Sequence, residues 1–148
     1  MAKRITFVRR AWSAAEPSAV FALLADGASW PRWSPIDSFT LEREGTGGGE
    51  SLGAVRVFKT GAMRSREELV EIRPDTSLSY VALSGLPLRG HRADVELAPH
   101  DGGTAISWHE GFEARFPGTG WWLRAVLQRF IQRCADGLAK AAAAEPTS

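Results

Sequence analysis

Apolar and polar positions alternate along most of the chain up to about residue 114, then recur every three or four residues as far as residue 144. Residues 4–12 place Ile5, Phe7 and Arg9 on one face and Thr6, Val8 and Arg10 on the other, as a strand does. Glu16-Pro17 opens a short helix with Val20, Leu23 and Leu24 as its apolar stripe. Asp26-Gly27 ends it, the glycine expected to supply a left-handed cap. Trp30-Pro31-Arg32-Trp33, followed by Ser34-Pro35, predicts a single helical turn. Further strands are predicted over 38–44, 51–59, 64–72, 77–84, 91–98 and 104–114. Turns fall at Gly61-Ala62, Arg73-Pro74-Asp75 and Pro99-His100-Asp101-Gly102-Gly103, with a longer loop at 85–90. Beyond Phe116-Pro117-Gly118 the period changes. Leu123, Leu127, Phe130, Cys134, Leu138 and Ala141 form one stripe of a helix from about Thr119 to Ala144. Such a helix is about 38 Å long at 1.5 Å per residue.

Strands joined by short turns pair antiparallel. A helix with one apolar face must lay it on something, and the sheet is the only large apolar surface on offer. The predicted class is therefore α+β: a curved antiparallel sheet of about seven strands around a long C-terminal helix, with two short helices after the first strand. One domain is expected over residues 1–144, with 145–148 a frayed tail. A sheet that curls round a helix leaves space between them, so a cavity is the expected by-product.

Composition narrows the function classes. Of 148 residues, 44% are hydrophobic, and six Trp and seven Phe supply enough bulk for a core and for the lining of a cavity. Eighteen Lys and Arg against 17 Asp and Glu give a net charge of +1, so nothing in the overall balance calls for nucleic acid or an anionic membrane. No apolar run approaches the ~20 residues of a membrane span, and the first residues lead into a strand rather than a signal-peptide core. A cytoplasmic protein is expected, with a homodimer left open. The lone cysteine, Cys134, excludes an intrachain disulfide and reads as a buried structural thiol. Gly45-Thr46-Gly47-Gly48-Gly49 lacks the Gly-Lys-Ser/Thr ending of a phosphate loop and leads into a strand. With three His and no Cys cluster, neither a metal nor a cofactor is expected. His100 falls in a turn, and His109 and Glu110 point to opposite sides of one strand.

Glu16-Pro17-Ser-Ala-Val-Phe-Ala-Leu-Leu-Ala-Asp26 followed by Trp30-Pro-Arg-Trp33 resembles the opening of the START-like (SRPBCC) superfamily. Glu68-Leu-Val-Glu-Ile-Arg-Pro74 with Leu78-Ser-Tyr80, then Thr104-Ala-Ile-Ser-Trp108 and Pro117-Gly-Thr-Gly-Trp121, is similar to its polyketide cyclase/dehydrase and lipid-transport family. The resemblance implies a helix-grip fold with a deep apolar pocket. It also implies members that bind lipids, sterols, polyketides or plant hormones, some of them cyclases. A fold hosts many functions, so the function must be sought in the site.

Strand alternation assigns the wall of that pocket. Ile106, Trp108, Glu110 and Phe112 are expected inward, as are His91, Ala93, Val95 and Leu97. On 64–72 the inward set is Arg66, Glu68, Val70 and Ile72, with Glu67 and Glu71 outward. Tyr80 is favoured inward. The face of 51–59 that carries Phe58 and Arg56 stays unassigned against the face with Val55 and Val57. Ligand contacts are accordingly expected from Trp33, Phe58, Arg66, Glu68, Tyr80, His91, Trp108, Glu110, Phe112, Trp122, Leu127 and Phe130. Charged groups on a concave apolar wall are costly unless paired. Arg66, Glu68, Glu110 and His91 therefore read either as an ion-pair network at the mouth or as contacts to a ligand's polar end. A third reading makes His91 with Glu68 or Glu110 an acid–base pair. The leading expectation is binding or carriage of a small apolar ligand. A cyclase or dehydratase is the alternative, and a protein-interaction module the third.

Overall fold

The computed structural model describes residues 3–144, so the tail expected at 145–148 lies outside the described residues. Strand β1 (Arg4–Ser13) leads to helix α1 (Pro17–Ala25), a 3₁₀ turn (Gly27–Ser29) and the one-turn helix α2 (Trp30–Trp33). Strands β2 (Ser38–Arg43), β3 (Val55–Thr60), β4 (Met63–Arg73), β5 (Ser77–Ser84), β6 (Leu88–His100) and β7 (Gly103–Ala114) follow, then helix α3 (Gly120–Ala144). The strands form one seven-stranded sheet in the order β1-β7-β6-β5-β4-β3-β2, antiparallel throughout. This is the helix-grip arrangement the sequence predicts. Successive strands β1 and β2 occupy opposite edges, so α1 and α2 carry the chain from one edge to the other beneath the sheet.

Two boundaries differ from expectation. Residues 51–54 form a turn rather than strand, and β6 begins at Leu88, taking in the last residues of the predicted loop. The glycine after α1 also plays another part. Gly27 has no positive φ and opens the 3₁₀ turn. A Cβ there would run into the Phe39 ring and the Glu50 carboxylate, so close approach excludes a side chain at that point. Its N–H donates to Glu50 Oε1 at 2.8 Å.

Helix α3 rests mainly on β1 and β7 and on α1 and α2. Its buried face is wider than the predicted stripe, with Ile131, Ala135, Ala139 and Ala142 joining Leu123, Cys134 and Leu138. Small residues let the helix sit close. Gly137 meets the Trp33 backbone carbonyl with no room for a Cβ. Ser13 Oγ donates to the Ala139 carbonyl at 2.7 Å, tying β1 to the same helix.

The core centres on Trp30. Its ring lies 4.7 Å from Trp33, 4.8 Å from Phe58 and 5.7 Å from Trp108, centroid to centroid. Against Trp30 and Phe58 lies the guanidinium of Arg56, 5.0 and 5.2 Å from the ring centroids, on a side chain with no exposure at all. Arg56 Nη1 donates to the Leu24 carbonyl at 3.2 Å and to Glu50 Oε1 at 3.3 Å. The Leu24 carbonyl, at the C-terminal end of the α1 ladder, also accepts from Trp30 Nε1 at 3.1 Å. The face of β3 that alternation left unassigned is thereby settled: Ala54, Arg56 and Phe58 face the core.

Removing the carboxylate from this clasp strands a buried cation. Glu50→Ala is expected to lower stability by about 3 kcal/mol in urea unfolding, and Arg56→Met added to it to restore part of that loss. Gly137→Ala should destabilise despite alanine's better helix propensity, lowering the urea midpoint with the slope unchanged, because the methyl has no space at Trp33.

Candidate functional site

Because α3 leans on β1 and β7, space opens between its N-terminal half and the inner faces of β3–β7. A cavity of about 250 Å³ lies there. Trp30, Ile36, Phe58, Leu86, Leu127, Phe130 and Ile131 give it a mainly apolar wall, and half-exposed Met63 and Val126 mark its mouth. The polar part of the wall comes from Thr60, Ser65, Glu67, Tyr80, His91 and Glu110.

Of the residues expected to touch a ligand, Phe58, Tyr80, His91, Glu110, Leu127 and Phe130 line this cavity. The other six do not. Trp33 is buried under α3 with its Nε1 on Ser29 Oγ at 3.0 Å. Trp108 and Phe112 are fully buried core, Trp108 standing behind Tyr80. Trp122 is half exposed on the outside of α3. Arg66 and Glu68 point away from the cavity. Arg66 makes a two-pronged bond to Glu42 at 2.8 and 2.6 Å, and Glu68 lies 3.8 Å from Arg43.

A β-bulge causes this last miss. Leu69 pairs with Tyr80 and Glu71 with the next residue back, Ser79, so Val70 has no partner. The extra residue reverses the alternation upstream of it. Ser65, Glu67 and Leu69 face inward, whereas Glu71 and Ile72 keep their predicted sides. Glu67, expected in solvent, is thus the acidic residue β4 delivers to the cavity.

Three ionisable groups share the polar wall. His91 Nε2 and Glu110 Oε2 are 2.8 Å apart and both side chains are buried. The Ala82 N–H donates to His91 Nδ1 at 3.0 Å, so the proton of the neutral ring sits on Nε2, facing Glu110. Burial raises the Glu110 pKa, against the pull of His91. For His91, burial opposes the charge, while the hydrogen bond and charge of Glu110 outweigh it and hold the ring above its usual value. The Ala82 amide works the other way, because a second ring proton would face another donor. Glu67 accepts from Ser65 Oγ at 2.7 Å through Oε2, and its Oε1 is shielded from solvent with no partner. Burial raises its pKa, and the Ser65 bond and the charges of His91 and Arg56 only moderate the rise. Cys134 is buried, with its thiol pushed well up by burial, as a structural thiol would be.

A larger cleft, about 920 Å³, opens on the outer surface where β1 begins, β7 ends and α3 starts. It gathers Lys3, Arg4, Arg89, Arg115 and Arg124 beside exposed Phe116 and Trp121. It is more open and brings no acid–base pair together, so the smaller, better enclosed space is the candidate site. Among the described residues no helix is long and apolar enough to cross a membrane.

A family model described as polyketide cyclase / dehydrase and lipid transport matches residues 4–143. No curated protein matches the chain in sequence. Among solved structures the chain is similar to Ara h 8.0201, with a TM-score of 0.77 at 18% identity over 97% of this chain and 100% of that one. A START superfamily protein from Mycobacterium smegmatis gives a TM-score of 0.79 at 12% identity over 93% and 96%. The Aha1 dimer from Colwellia psychrerythraea gives 0.72 at 11% over 95% and 97%. At these identities the likeness is one of fold.

The raised pKa of Glu67 has a signed consequence. The folded chain binds this proton more tightly than the unfolded one, so stability falls as pH rises from the ordinary value of 4.5 through the folded value. Glu67→Gln removes that penalty. Thermal melts of ligand-free protein should show the variant more stable than the parent at pH 8, with the difference vanishing below pH 4.5.

Proposed function

The chain belongs to the START-like (SRPBCC) superfamily and, within it, to the polyketide cyclase / dehydrase and lipid transport family, and on that basis we propose that its cavity binds or carries a small, mainly apolar molecule of lipid, aromatic or polyketide-like type. The observation that carries this reading is the enclosed space of about 250 Å³ between sheet and helix, with aromatic and aliphatic side chains over most of its wall. A cavity of roughly 150 Å³ accommodates a benzene ring, so this one suits a substituted ring or a two-ring molecule. The few polar groups at one side are what a pocket uses to orient a ligand rather than to hold it.

Acid–base catalysis, of the cyclase or dehydratase kind, is the second reading, and one observation favours it. Two carboxyl groups with raised pKa values, Glu67 and Glu110, lie in the same cavity wall as His91. His91 has both ring nitrogens engaged, by Ala82 and Glu110, so the proton-moving group on this reading is a carboxyl rather than the imidazole. Glu68, on the far side of β4, takes no part.

Native mass spectrometry of protein purified from its own host tests both and also reads its oligomeric state. One apolar molecule per chain, lost on solvent extraction, is expected. Leu127→Trp, which fills the space, should come away empty with an unchanged circular dichroism spectrum. Reproducibly empty parent protein that also fails to bind an apolar fluorescent probe would sink the carrier reading. Conversion of the extracted molecule by the parent but not by Glu67→Gln or Glu110→Gln would establish catalysis.

A further inference from the structure

Two of the hydrogen-bonding positions in the cavity wall are buried and left unspent by the protein. The first is Glu67 Oε1, shielded from solvent and without a partner, while Oε2 is occupied by Ser65. The second is the phenol proton of Tyr80. Trp108 Nε1 donates to the Tyr80 oxygen at 3.2 Å, and among the described residues no acceptor takes the Tyr80 proton. Burial holds this phenol protonated, its pKa raised well above the usual value, so it remains a donor. His91 and Glu110, by contrast, meet through Nε2 and Oε2. An acceptor and a donor, both buried and both unsatisfied, stand on the polar side of a mainly apolar cavity, where each unmade bond is costly.

We propose that the cavity selects an apolar molecule bearing a hydroxyl group, which accepts from the Tyr80 O–H and donates to Glu67 Oε1. The inference rests on the binding reading above and specifies its ligand. A hydroxyl is the small group that donates and accepts at once. An ether offers only an acceptor and leaves Glu67 unmatched. An ammonium offers only donors, leaves the Tyr80 proton unmatched and must shed its hydration. A carboxylate donates nothing and brings a further negative charge beside Glu67 and Glu110. The buried cation does not rescue it, because Arg56 is directed to Glu50 and the Leu24 carbonyl and lies against the rings of Trp30 and Phe58, outside the cavity lining.

Four probes of one shape separate these cases: naphthalene, 1-naphthol, 1-methoxynaphthalene and 1-naphthoate, titrated at pH 7 into ligand-free protein by calorimetry. The expected result is 1-naphthol binding about tenfold or more tightly than each of the others, the scale of one net hydrogen bond. Tyr80→Phe and Glu67→Leu, each checked for fold by circular dichroism, should cut the naphthol-to-naphthalene ratio to about threefold or less. Equal binding of 1-methoxynaphthalene would mean that Glu67 donates rather than accepts, and would overturn the proposal. So would equal binding of 1-naphthoate, or a naphthol preference that survives both variants. If none of the four binds although a molecule co-purifies with the protein, this inference fails and the carrier reading stands. If none binds and the protein is also empty, both fail.

Discussion

A guanidinium with no water on it is the constraint around which the rest of the molecule is arranged. Burying Arg56 forfeits the hydration of a full charge, and groups from three separate stretches of chain offset part of that loss, Nε and Nη2 having no hydrogen-bond partner. The end of α1 supplies the Leu24 carbonyl, the loop before β3 supplies Glu50, and α2 supplies the face of Trp30. Each of these also serves a neighbour: Leu24 accepts from Trp30, and Glu50 accepts from Gly27. The short helices are thereby held beneath the sheet by a polar clasp inside an aromatic cluster. They form one wall of the cavity, through Trp30, only because that clasp fixes their position.

The cavity is a consequence of where α3 finds its support. Its small residues let it settle on β1, β7 and the Trp30–Trp33 turn, with Gly137 in direct contact with the Trp33 backbone. A straight helix that fits one side of a curved sheet closely must stand off from the other. The side chains facing that gap, Leu127 and Phe130 from the helix and Phe58 and Tyr80 from the sheet, are too few to fill it. Close packing at one end and open volume at the other are thus a single geometric fact.

Much of this was legible in the sequence. The change of hydrophobic period near residue 114, the turn chemistry and the Trp-Pro-Arg-Trp string located the elements, and alternation placed Tyr80, His91 and Glu110 on the inner wall. What failed, failed for local reasons. Alternation has no means of detecting an unpaired residue, so the bulge at Val70 put Arg66 and Glu68 on the wrong side and hid Glu67. Trp108 and Phe112 point inward as expected but lie beneath other side chains, a depth that one strand cannot reveal. Gly27 looked like a cap because a glycine excluded by crowding and a glycine needed for positive φ read alike. Arg56 carried no signal that it would be buried, since its partners Leu24 and Glu50 are brought to it only by the tertiary fold.

Because direction alternates along a strand, the extra residue at Val70 separates the side chains that β4 possesses from those it turns inward. The same residues paired without the bulge would bring Arg66 and Glu68 to the interior in place of Ser65 and Glu67, replacing an acidic wall by one that holds a cation, with no substitution at any of these positions. Descendants of such a chain could therefore exchange the polarity of their interior by gaining or losing the bulge, with no residue inserted or deleted. Two relatives aligned column by column could look nearly identical there while recognising molecules of opposite character.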